Sequence, residues 1–281
     1  MAKDLGDDFG SDFSGDDFKT SAGGSKIKWE NIIPIAVIVI VLALILFKTN
    51  VFSGGLPFSS GGSGSNILVI GSPSVEFKNV LYDPENKDLI KQVRFVNIES
   101  IERNPKEAIK GYNIIILDQS LQTDKSITRR VGDALKSYVN SGGKLIVVLN
   151  SGIERPGDIS VLGWQANLGN IVPVSCDKII FGTPSCKKEY FVQGIIYRAF
   201  DHPIMDGIER APALDSSGLY NTSTFDVSVL GREIAYLEDA RTGQTFPAIV
   251  EKSMIMGKVI YFNYNPGLSK AIFVNTIKYL R

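Results

Sequence analysis

The chain of 281 residues sets 30 lysines and arginines against 30 aspartates and glutamates, for a formal net charge of zero. That balance argues against a nucleic-acid protein, whose affinity rests on a surplus of cations facing phosphates. One histidine and two cysteines are too few for the usual zinc sites, and they route any Ser-His-Asp or Cys-His mechanism through His202. Neither a metal nor a cofactor is expected.

Residues 1–30 are rich in Gly, Ser and Asp and poor in branched aliphatics, so they cannot bury enough apolar surface to offset ordering. They are expected to be a disordered tail. A short acidic-aromatic unit recurs in it, ending at Phe9, Phe13 and Phe18. Leu5, Phe9 and Phe13 are spaced by four and would share one face of a helix, although Gly6, Gly10 and Gly15 oppose helix in the free chain. This reads as a linear motif whose Leu5, Phe9, Phe13 and Phe18 anchor a cytoplasmic partner. The plainer alternative is a solubilising tail.

Residues 31–52 are expected to be a single membrane anchor. The run 31–47 (NIIPIAVIVIVLALILF) carries no charge and as a helix would be roughly 25 Å long, close to the ~30 Å hydrocarbon core. Trp29 and Lys48 flank it as interfacial residues, and Pro34 falls in its first turn. Lys19, Lys26 and Lys28 before the run, against Lys48 after it, place the tail in the cytoplasm and the C-terminal domain outside. Residues 53–65 (SGGLPFSSGGSGS) read as a flexible linker.

From residue 66 the pattern becomes that of one α/β domain, 66–281. Residues 66–70, 112–117 and 144–149 are apolar runs suited to strands covered on both faces, with a further strand at 94–98. Leu89, Ile90 and Val93 suggest a helical face between the first two strands. Thr123 or Asp124 can cap a helix whose stripe is Ile127, Val131, Leu135, Tyr138 and Val139, and Gly142 and Gly143 stop it. Beyond residue 176 the alternation gives way to short strands, a hairpin over 232–252, a closing strand at 257–262 and a terminal helix at 269–280. A bridge between Cys176 and Cys186 would close a loop of ten residues, as expected outside the cell. A lone glycosylation sequon stands at Asn221.

Four segments in order, 112–118 (YNIIILD), 138–147 (YVNSGGKLIV), 201–207 (DHPIMDG) and 257–267 (GKVIYFNYNPG), resemble the class I glutamine amidotransferase-like superfamily. The likeness is to its non-catalytic branches, the trehalose-utilisation-like domains and the domain of gliding-motility and intraflagellar-transport proteins. It implies an α/β, flavodoxin-like, doubly wound and mostly parallel sheet with inserted antiparallel strands, here preceded by one transmembrane helix. Catalytic members carry a cysteine on the turn after a strand and pair it with a histidine. In this chain that turn would fall at residues 150–154, where there is no cysteine, and Arg155, Pro156 and Gly157 break the following helix.

In open α/β sheets ligands sit beyond the carboxyl ends of the strands. The candidates there are Ser72, Asp118, Gln119, Ser151, Glu154, Asn263 and Asn265, a polar set suited to a neutral polyol, sugar or peptide. The same residue types also cap helices and make turns. The expected function is a membrane-anchored, non-catalytic binding or scaffold protein, an accessory subunit of a cell-envelope complex that meets an envelope protein or glycan. One alternative is a tethered hydrolase using Ser151 or Asp118 with His202, although His202 in a DHPI turn fits a structural imidazole better. Another is a transporter-associated subunit.

Overall fold

The computed structural model describes residues 64–214 and 218–281. The tail at 1–30, the anchor at 31–52 and nearly all of the linker at 53–65 lie outside them. A ten-stranded sheet organises the described chain. Its strands, in chain order, are β1 (Ser65–Gly71), β2 (Ile90–Val96), β3 (Ile114–Asp118), β4 (Lys144–Val148), β5 (Glu189–Arg198), β6 (Arg210–Ala211), β7 (Tyr220–Phe225), β8 (Arg232–Asp239), β9 (Thr245–Ser253) and β10 (Lys258–Phe262). Among the described residues the three longest helices are α1 (Val75–Leu81), α2 (Arg129–Asn140) and α3 (Lys270–Leu280).

Across the sheet the order is β6-β5-β8-β9-β10-β4-β3-β1-β2, with β7 also paired to β5. The pairs β1·β2, β1·β3, β3·β4 and β4·β10 are parallel. The pairs β9·β10, β8·β9, β5·β8, β5·β7 and β5·β6 are antiparallel. The expectation of a flavodoxin-like, mostly parallel sheet is therefore corrected. The sheet is mixed, and its antiparallel strands continue the same ladder instead of being inserted beside it. Among the described residues no helix is long and apolar enough to cross a membrane, so the expected spanning helix is no part of the described fold.

Helices cover both faces of the centre. Successive residues of a strand point to opposite faces. On β10, Tyr261 meets Trp164 with ring centroids 5.5 Å apart, while Phe262 lies 6.4 Å from Phe273 of α3. Phe273 in turn stands edge-on to Phe77 of α1 at 4.7 Å. The residues of β1, β3 and β4 are accordingly apolar on both sides, and Ile67, Ile114, Ile115, Ile116, Leu145 and Ile146 are fully buried. In α2, Val131, Leu135 and Val139 turn inward as their spacing requires, and Gly142 takes the positive φ (101°) that ends the helix.

Two elements differ from the sequence reading: α2 begins at Arg129 behind Thr128, not behind Thr123 or Asp124, and the helical face before β2 is absent. Leu89, Ile90 and Val93 belong to the approach and start of β2, not to a helix, and the helix between the first two strands is α1. β2 is an edge strand paired only with β1, so its burial is uneven and its apolar spacing mimics a helical face.

Candidate functional site

At the carboxyl ends of β1, β3 and β10 the chain turns through Ser74, Ser120 and Asn265, and these turns face a ribbon made by the first half of β5 and β7. Between them lies a cleft of about 550 Å³. Ser74, Glu76, Ser120, Leu121, Leu149, Asn265 and Leu268 line one wall. The ribbon supplies Glu189, Phe191, Val192, Gln193, Asn221, Thr222 and Ser223, with Arg241 at its edge.

Register explains which ribbon side chains look outward together. Glu189, Phe191 and Gln193 of β5 pair with Phe225, Ser223 and Asn221 of β7. Alternation puts Phe191, Gln193, Asn221 and Ser223 on one face, while Val192 turns inward and is buried. Phe191 is 73% exposed. Its carbonyl accepts a hydrogen bond from Nη2 of Arg241 at 2.9 Å, and the same guanidinium lies 3.5 Å from Asp239 Oδ1 through Nε.

On the opposite wall the Ser74 hydroxyl donates to Asn265 Oδ1 at 3.2 Å and accepts from the backbone N–H of Phe77 at 3.1 Å. Asn265 Oδ1 also accepts from the N–H of Gly267 at 3.0 Å. The Asn265 side chain thus bonds Ser74, Gly267 and Glu76 on this wall. Bonds from its own backbone N–H, the Ser74 hydroxyl and the Asn265 side chain hold Glu76 below the ordinary carboxylate range.

The other expected residues are mostly committed elsewhere. Asp118 ends β3 beneath the cleft, 1% exposed, with Oδ1 accepting from the Ser120 N–H at 2.9 Å. Burial pushes its carboxyl up to about 6 against the opposing effects of the Ser120 bonds and of Lys125 and Lys78. Gln119 is buried; its Oε1 accepts from the N–H of Gly152 and its Nε2 donates to the carbonyl of Ser126. The Ser151 hydroxyl accepts from the Gln119 N–H at 2.8 Å and donates to the Val148 carbonyl at 2.6 Å. Asn263 is buried and makes four bonds, to the Phe225 N–H, the Phe225 and Pro247 carbonyls and the Tyr261 hydroxyl. Glu154 pairs with Lys187 at 2.6 Å. The carbonyl of Ser72 accepts from the N–H of Leu121. Of the seven ligand candidates, Asn265 alone lines the cleft directly.

His202 stands at a different place. Its Nδ1 accepts from the N–H of Ile204, so Nε2 carries the proton and meets Glu251 Oε2 at 3.3 Å. Tyr279 stacks edge-on against the imidazole at 4.7 Å and donates to Glu251 Oε1 at 2.6 Å. Glu251 pairs with Ile260 in the middle of β10, and Lys258 at the start of β10 lies 3.7 Å from it. Burial lowers the pKa of His202 despite Glu251, which fits a neutral structural imidazole. The hydroxyl of Ser151 and the ring of His202 therefore have separate partners. The turn after β4 is formed by Leu149 at φ 51°, an aliphatic residue with no nucleophile to present. Among the described residues no group of three or more His, Cys, Asp or Glu could hold a metal ion. Cys176 and Cys186 form a disulfide, as expected.

The ribbon is what sequence reasoning missed. Phe191 and Gln193 sit in a strand whose two faces both carry aromatics, Tyr190 and Phe191, so alternation of polarity gives no clear face. Asn221, which opens the sequon, lies in β7.

No protein-family model matches the sequence, and no curated protein matches it. The fold is similar to solved structures. A β-galactosidase from Bacillus circulans sp. alkalophilus aligns with a TM-score of 0.51 at 13% identity, over 78% of this chain and 31% of that one. A cold-adapted β-galactosidase from Rahnella sp. R3 aligns with a TM-score of 0.50 at 10% identity, again over 78% and 31%. The chain thus spans about a third of the length of these neighbours, and the likeness is one of fold alone. Glycoside hydrolases as neighbours correct the expected membership of the class I glutamine amidotransferase-like superfamily. The four segments behind that expectation are apolar strands ending in Asp, Gly-Gly or Asn turns, which strand-and-turn chemistry produces in many α/β proteins.

Proposed function

We propose that the chain is a non-catalytic binding protein whose domain holds a neutral polar ligand in the cleft between the strand ends and the β5·β7 ribbon. The observation that carries this reading is the convergence of Ser74, Ser120, Gln193, Asn221 and Asn265 on one cleft with the exposed ring of Phe191. A few polar groups around an apolar surface is the usual make-up of a ligand site. The hydrolase alternative finds no support in the geometry, because the Ser151 hydroxyl is fully used by backbone and His202 is held by Glu251.

The finer placement belongs to the same proposal. The Cys176–Cys186 disulfide supports an oxidising, extracytoplasmic setting. Residues 31–52 would tether the domain to the membrane, and Leu5, Phe9, Phe13 and Phe18 would recruit a partner on the cytoplasmic side of a cell-envelope complex.

The test is a thermal-shift screen of the protein against polyols, neutral saccharides and peptides, paired with chromogenic hydrolase substrates. The expected result is a ligand that raises Tm in the wild type and fails to do so in the Gln193→Ala/Asn221→Ala variant. No substrate should turn over. Hydrolysis that disappears in both Ser151→Ala and His202→Ala would overturn the proposal.

A further inference from the structure

We infer that the ligand class of the cleft is a neutral saccharide and that Phe191 is the surface on which a sugar ring lies. The inference rests on the binding reading above and narrows it. The Phe191 ring, 73% exposed, presents a flat apolar face to solvent. Here it stands inside the cleft, with Leu121, 64% exposed, also lining it.

The surroundings of that ring select the chemistry. Ser223 is directly opposite Phe191 across the ladder, and Asn221 is opposite Gln193. Cross-strand neighbours lie roughly 5 Å apart and same-face neighbours along a strand about 7 Å apart. A hydroxyl and two amides therefore border one side of the Phe191 ring. The C–H face of a sugar can lie on the ring while its rim of hydroxyls meets groups that both donate and accept. A purely apolar ligand would leave those amides unpaired, and a purely polar one would leave the ring uncovered.

Charge excludes acidic sugars. The cation lining the cleft, Arg241, already donates to the Phe191 carbonyl and lies beside Asp239. Glu76 and Glu189 are exposed in the cleft, and Glu76 is held ionised by its bonds. A uronate or a phosphosugar would meet two carboxylates and no free cation among the lining residues.

The experiment uses the full chain in a detergent without sugar head groups. It reads saturation-transfer NMR and dissociation constants for maltose, lactose and N,N′-diacetylchitobiose, with glucuronate and an extended neutral peptide as comparison probes. At least one neutral disaccharide should bind and glucuronate should not. Phe191→Tyr should bind within about threefold of the wild type, and Phe191→Leu, which keeps apolar bulk without a flat ring, at least tenfold more weakly. Both variants should keep the wild-type Tm, since Phe191 contributes little to the core. Equal binding by Phe191→Leu would overturn the stacking role. Binding of the peptide but of no saccharide would overturn the ligand class and leave the cleft as a binding site. Binding of none of these probes by the wild type would overturn the saccharide inference and the neutral-ligand reading together.

Discussion

At the scale of single residues, Asp118 has the clearest measurable consequence. Its carboxyl is buried, its Oδ1 accepts from Ser120, and its pKa rises from 3.8 to about 6. Between those values the folded chain binds more protons at this site than the unfolded chain, so the site favours unfolding as pH rises through 6. The contribution is fully unfavourable at neutral pH and vanishes below about pH 4. A shift of this size corresponds to roughly 3 kcal/mol at most. Asp118→Asn keeps the acceptor for the Ser120 N–H and removes the charge. Its Tm is expected to exceed the wild-type value at pH 7.5 and to match it at pH 4. A scanning-fluorimetry series in which the two proteins run parallel across that range would sink the argument. Gly71 at the end of β1 makes a second, simpler point. Its φ is +115°, and a Cβ there would lie 2.2 Å from the Asp118 carbonyl, so only glycine lets β1 and β3 end side by side.

At the scale of elements, the disulfide fastens the segment that leads into the ribbon. Cys176 and Cys186 are ten residues apart and enclose the hairpin of Ile179–Ile180 with Thr183–Pro184, directly before β5. Closing a ten-residue loop in the unfolded chain stabilises by about 3 kcal/mol in the chain-entropy view. For a domain of this size that is a fall in Tm of roughly 6–12 °C on replacing both cysteines by serine. Calorimetry of the double variant checks it, and addition of a reductant to the wild type should reproduce the shift. A change below about 2 °C would mean that the bridge is incidental to stability. The elements also show where sequence is readable. β1, β3, β4 and α2 stand within a few residues of their expected places, because strands covered on both faces are unbroken apolar runs and α2 has a single inward stripe. β2 and β5 were misread or unresolved for the converse reason. Each is half-covered, and side chains such as Val93 and Phe191 do not announce which face they take. The candidate site inherited that limit: the turns at Ser74, Ser120 and Asn265 follow from the strand-end rule, while the opposing wall depends on a pairing of β5 with β7 that no local pattern encodes.

At the scale of the molecule, the question is whether the parallel and antiparallel halves fold as one body. Chains above about 150 residues often unfold through intermediates, so a single transition is not the default expectation for this domain. The sheet argues for one. β10 pairs in parallel with β4 and in antiparallel with β9, so neither half keeps a complete ladder without it. Asn263, just past β10, adds a side-chain junction: all four of its bonds are made, and they tie β10 to Phe225 of β7 and to Pro247 of β9. Trp164 bridges the same centre, donating its indole N–H to the Ser151 carbonyl at 2.9 Å while packing on Tyr261. In a Trp29→Phe background its fluorescence reports this junction, and far-UV circular dichroism reports the whole sheet. The two melting curves are expected to coincide. Asn263→Ala leaves three backbone groups without their buried partner, which costs on the order of 3 kcal/mol or more. Both curves should then move down together, by roughly 6–12 °C. If the fluorescence transition shifts while part of the dichroism signal stays in place, the halves are separable and the ribbon is an independent unit docked on a parallel core.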